Sequence, residues 1–216
     1  MNYNDRKKYA EELIKQDNYP DALIEYSTLI RENPKDTQII ERFVFLWTRI
    51  QEGNYDFEPD TPEQYTMRGI AKFYNNQAEN SIKDFDKALS LDPNYDYALK
   101  SRAFSLKFLE RLEDSIVDLK RALNIQETGE YYDDLSEIYA LIGDIKTALE
   151  FHQKAIETSP NDARLWYNYG VDLIESGNLK EALNKFNKAI ELWPQYDDAL
   201  VNRQYVIEIL KRQNAL

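Results

Sequence analysis

The sequence predicts an all-α fold, a solenoid of two-helix units completed by a last, unpaired helix. Three observations carry this. Superposing Pro34, Pro93, Pro160 and Pro194 aligns Ala22/Tyr26/Leu29, Ser81/Phe85/Ala88, Ala148/His152/Ala155 and Ala182/Phe186/Ala189, and the step from Pro160 to Pro194 is 34 residues. The punctuation agrees with that register. Each proline stops the second helix of its unit, because proline lacks an N–H and disfavours helix just before it, while Gly143 and Gly177 end first helices by their ease at positive φ. The composition, 43% hydrophobic and 31% charged with six glycines, is ordinary for a soluble helical protein.

Taken in order, the first unit spans about 3–36, and Pro20 opens its second helix at the first turn, where proline is tolerated. The second, 37–61, is irregular. Ile40, Phe43, Val44 and Trp47 share one helical face, and the following GNYDFEPDTP is loop chemistry with no second helix. Ten extended residues reach roughly 33 Å, more than the roughly 21 Å of a 14-residue helix. Tyr55 and Phe57 could therefore fill the place of the missing helix, with a mobile surface loop as the equal alternative. Units 62–95, 96–128, 129–162 and 163–196 follow, and a closing helix covers 197–212. Unit 96–128 has Glu127 in place of the closing proline, which puts an irregularity at Gln126–Gly129. All units read as a single array over 1–216.

The residues Trp166, Tyr169, Gly170, Leu173, Ala182, Phe186, Ala189 and Pro194 at these offsets resemble the tetratricopeptide repeat. That resemblance implies a right-handed superhelix in which each unit packs on its neighbours. It makes Gly170 and Ala103 the eighth-place residues at a close crossing of the two helices, and Tyr26, Phe85 and Phe186 the fillers between them. His152 stands at the Phe186 place and reads as a packing residue. It implies a non-enzymatic scaffold or adaptor for protein partners, with no cofactor.

Bulk properties narrow the function. No run of about 18 apolar residues is present and no signal peptide is visible, so the expected location is the cytoplasm, without a membrane partner. Zero cysteines exclude disulfides and thiol chemistry and argue against zinc. A net charge of −12 argues against nucleic acid. No Asp or Ser constellation recurs around His152 to support nucleophilic catalysis, and no glycine-rich phosphate loop is present.

In the tetratricopeptide family the first helices line a concave groove. A carboxylate clamp for chaperone tails does not fit here: the register from Lys100 reads Phe104, Asp134, Arg164, Asn168, and the register from Lys7 reads Glu11, Arg42, Glu63, Met67. Asn168 and Asn202 stand at one place of consecutive first helices, where an amide can both donate to and accept from a peptide backbone. Glu130, Asp133, Asp134 and Glu137 lie at i, i+3, i+4 and i+7, on one face. Such a face either receives Lys or Arg from a partner or is simply solvated. The candidate groove is Tyr97, Lys100, Phe104, Asp133, Asp134, Glu137, Arg164, Tyr167, Asn168, Asn202 and Tyr205, with a basic protein or peptide segment as partner. The alternative is self-assembly. Leu200, Ile207 and Leu210 would cover the last full unit, leaving Val201, Tyr205 and Ile209 as an apolar stripe for a homodimer.

Overall fold

A computed structural model describes residues 1–33, 36–52 and 58–213. Among them are twelve α-helices and no strand. Every first helix begins where the sequence register places it. The first compact unit, Met1–Arg111, holds α1 (Tyr3–Lys15), α2 (Tyr19–Glu32), α3 (Thr37–Glu52), α4 (Pro62–Tyr74), α5 (Ala78–Leu91) and α6 (Asp96–Phe108). The second, Leu112–Leu216, holds α7 (Leu112–Ile125), α8 (Gly129–Leu141), α9 (Ile145–Thr158), α10 (Ala163–Glu175), α11 (Leu179–Leu192) and α12 (Asp197–Arg212).

Local chemistry sets the helix ends. Asn2, Thr61, Thr128, Asp144 and Asp162 each accept an N–H of the first turn of the following helix, which satisfies donors a helix start leaves open. Five of the first helices, α1, α4, α6, α8 and α10, end with one residue at positive φ: Asp17, Asn76, Glu110, Gly143 and Gly177. The next amide then reaches back to the helix, as Arg111 N–H does to the Leu106 carbonyl at 2.9 Å and Asn178 N–H to Leu173 at 2.8 Å. Glycine supplies this conformation in only two of the five cases.

Packing follows the expected crossing. A Cβ on Gly170 would come within 2.6 Å of the Phe186 ring, and one on Gly69 within 2.5 Å of Phe85. Ala10 and Ala103 hold the same place, fully buried, and Tyr26 is buried with its hydroxyl donating to Glu11 Oε1 at 2.6 Å. The second unit of the sequence register is broken as expected among the described residues: α3 runs past Trp47 to Glu52, and α4 starts at Pro62. Consequently α4 packs on α2 as well as on α3. The suggested filling by Tyr55 and Phe57 lies outside the described residues. The break before α8 also falls where Glu127 replaces proline, with Thr128 capping α8 through Tyr131 N–H.

At the C-terminal end, Ala199, Val206 and Leu210 are the buried residues of α12, whereas Leu200 and Ile207 are half-buried. Leu210 of the expected covering set is thus buried, Leu200 and Ile207 are partly covered, and Ala199 and Val206 join them on the side packed against α11.

Candidate functional site

Within the second unit, α8, α9 and α10 enclose an open pocket of about 530 Å³. Asp133 and Glu137 come from α8, His152 from α9, and Tyr167, Asn168, Val171, Asp172 and Glu175 from α10. Four carboxylates therefore face one concavity. Glu130, Asp133 and Asp134 are half-buried and Glu137 is exposed, so the acidic face of α8 is partly shielded rather than fully solvated.

At the pocket floor His152 is 3% exposed and stacks on Tyr169 with ring centroids 5.4 Å apart. It fills the Phe186 place, as the repeat register implies. It also carries polar contacts that the sequence reading missed. Its Nε2 lies 2.9 Å from Asp172 Oδ2, and its Nδ1 lies 3.3 Å from Asp133 Oδ1. The Ser136 hydroxyl sits 3.0 and 2.9 Å from the two ring nitrogens. The expectation that no Asp or Ser constellation surrounds His152 is thus corrected. Its partners come from α8 and α10, 16 to 20 residues away, so no local motif announces them. A signal was available, however. Ser136 occupies the eighth place of its unit, where Gly69 and Gly170 sit under Phe85 and Phe186. A serine at that place paired with a histidine at the phenylalanine place marks a polar version of the same crossing.

The order serine, histidine, aspartate matches the contacts of a nucleophilic triad. Ser136 is fully buried, though, inside the α8–α9 crossing, so its hydroxyl has no open side from which to attack a substrate. The arrangement places a buried imidazole between two carboxylates. Burial opposes a charge on His152, but the hydrogen bonds and charges of Asp133 and Asp172 outweigh it, and the ring's pKa is raised above its ordinary 6.5.

The candidate residues fall in both compact units. In the first, Phe104 is exposed beside Phe73 at 5.1 Å, Tyr97 packs near Tyr95, and Lys100 is half-buried on α6. In the second, Asp133, Glu137, Tyr167 and Asn168 share the pocket; Asp134, Arg164, Asn202 and Tyr205 are outside its lining. Arg164 is fixed by Asp162, which takes its Nε at 3.1 Å and its Nη2 at 2.7 Å. Both asparagines already make one hydrogen bond within the chain. Asn168 donates to Asp133 Oδ2 at 2.8 Å, and Asn202 donates to the Tyr167 hydroxyl at 3.1 Å. Each amide keeps a second N–H and its carbonyl for other contacts.

Comparison with known proteins agrees with the fold. A family model described as tetratricopeptide repeat matches residues 163–196, and a second of the same description matches 63–95 and 129–162. Tetratricopeptide repeat protein 13 of Homo sapiens is 28% identical over 149 residues, which is 66% of this chain and 17% of that protein. The Hsp70-Hsp90 organizing protein of Triticum aestivum is 28% identical over 100 residues, 42% of this chain and 17% of that protein. The chain thus aligns with about a sixth of the length of either relative. In structure it is similar to a chain of the APC/C hetero-tetramer Cut9-Hcn1, with a TM-score of 0.66, 18% identity, and 96% of this chain and 43% of that chain covered. The chain is a tetratricopeptide repeat protein. Proteins of this family are generally interaction scaffolds, and the fold is generally non-catalytic.

Proposed function

We propose that this chain is a scaffold whose second compact unit binds a basic peptide segment of a partner protein in the pocket between α8 and α10. The observation that carries the reading is the joining of Asp133, Glu137, Asp172 and Glu175 around one open concavity of about 530 Å³. Tyr167 and Val171 offer apolar contact beside the carboxylates, and Asn168 offers its remaining amide groups to a backbone. Opposite charge steers such a segment to the groove and selects it over acidic ones. A relative named for organising Hsp70 and Hsp90 also has proteins as its named partners. The test is a pull-down from the source cell with a Glu137→Lys/Glu175→Lys variant as control. Both side chains are exposed, so the fold is expected to survive and the partner to be lost. A partner retained at wild-type level would refute the groove.

A second reading rests on α12, where Val201 is 67% and Tyr205 53% exposed and Ile209 is half-buried. Three apolar side chains on one face of α12, two of them more than half exposed, favour a homodimer through this helix.

A further inference from the structure

His152 is the one histidine of the chain, and it is held between carboxylates of two different helices. A neutral imidazole has one N–H donor, whereas an ionised carboxylate only accepts. With Nε2 donating to Asp172 at 2.9 Å, a neutral ring would point the Nδ1 lone pair at Asp133 Oδ1, 3.3 Å away. An imidazolium donates to Asp172 and brings its second N–H within 3.3 Å of Asp133 Oδ1, a buried oxygen that no other hydrogen bond reaches. This placement favours a cation at the floor of an acidic pocket.

The surroundings from each packed element agree. From α8 come Asp133 and the Ser136 hydroxyl, with Glu137 on the pocket wall. From α10 come Asp172 and the Tyr169 ring, with Glu175 on the wall. The nearby cations are turned to other partners: Arg164 is clamped by Asp162, although its charge is felt at Asp133, Lys185 lies 4.2 Å from the Tyr169 ring centroid, and Lys154 of α9 lies over Phe151 and Tyr132.

We propose that partner binding in this groove is linked to a proton on His152: the lysine or arginine of the incoming segment and the imidazolium share Asp133 and Asp172, so each weakens the other. This rests on the groove reading above. Binding then releases a proton from His152, and affinity for a basic segment rises with pH through the titration of this ring. The raised pKa of the ring in the free protein supports the same picture.

The experiment uses the full chain and a short fluorescein-labelled peptide carrying arginines spaced by Gly and Ser. The Hε1 resonance of the single histidine is followed by NMR from about pH 5.5 to about 8.5, with and without saturating peptide, and affinity is measured by anisotropy over the same range. The expected result is a midpoint above 6.5 in the free protein that falls when peptide is bound. A fall of about one unit corresponds to about a tenfold gain in affinity across the titration. In His152→Phe, which restores the residue type of Phe85 and Phe186, that pH dependence should vanish. If the peptide does not bind, or binds Glu137→Lys/Glu175→Lys equally well, the groove reading fails and the linkage with it. If that variant loses the peptide but the histidine midpoint of the wild type does not move on binding, the groove stands and the linkage alone is overturned.

Discussion

A Cβ built on Gly170 would meet three atoms of the buried Phe186 ring between 2.6 and 2.9 Å, and neither helix can retreat without opening the core around Leu173 and Val206. Gly170→Leu is therefore expected to destabilise the protein by roughly 1–3 kcal/mol, the usual cost of overpacking, read as a lower denaturant midpoint. An unchanged midpoint would mean the crossing tolerates a side chain. His152, in the Phe186 place of the preceding repeat, makes a different prediction. Its pKa is raised on folding, so the folded state binds its proton more tightly than the unfolded chain does. The resulting stability is fully present below about pH 6.5, the unfolded value, and is lost as pH rises through the folded one. Urea unfolding at about pH 6 and about pH 8.5 should show wild type losing stability relative to His152→Phe at the higher pH. A constant difference between the two proteins would contradict the ion pairing with Asp133 and Asp172.

At the scale of the element, five of the first helices end through one positive-φ residue, and the chain fills that place with Asp17, Asn76, Glu110, Gly143 and Gly177. The left-handed region costs a residue with a Cβ roughly 1–2 kcal/mol, and glycine avoids most of this. Glu110 is exposed at φ 58° at the end of α6. Replacing Glu110 with Gly should raise stability by up to about 1 kcal/mol. Gly177→Val should lower it by a similar or larger amount. Thermal midpoints of the two variants moving in the same direction would contradict this account. A Cβ at Gly177 meets no heavy atom within 4 Å, so any loss there comes from backbone conformation rather than from a clash.

At the scale of the whole molecule, the net charge of −12 and the acidic pocket would both attract the basic partner proposed above. Raising salt from about 0.1 M to about 1 M shortens the screening length from about 10 Å to about 3 Å, and affinity for an arginine-bearing peptide should fall several-fold. A salt-independent affinity would mean apolar contacts dominate. Self-association through α12 is checked by light scattering at increasing concentration. A dimer that Val201→Asp/Tyr205→Asp converts to monomer is the expected outcome, and monomer behaviour of the wild type throughout would remove the idea.

The helix starts at residues 3, 37, 62, 96, 129, 163 and 197 were legible in the amino-acid order, because caps, prolines and apolar spacing act within a turn or two of chain. That no second helix lies between α3 and α4 among the described residues was legible for the same reason, through the loop-forming residues before Pro62. The acidic face of α8 could be read as well, since four residues on one helix share a face by spacing alone. What surrounds that face was decided by tertiary structure. Whether Asn168 donates to Asp133, and whether His152 merely packs or also meets Asp133 and Asp172, depends on side chains 16 to 35 residues apart. Their meeting is set by how α8, α9 and α10 cross. Helix spacing determines which residues point the same way, and only the crossing of separate helices determines which carboxylates meet at the buried His152 ring.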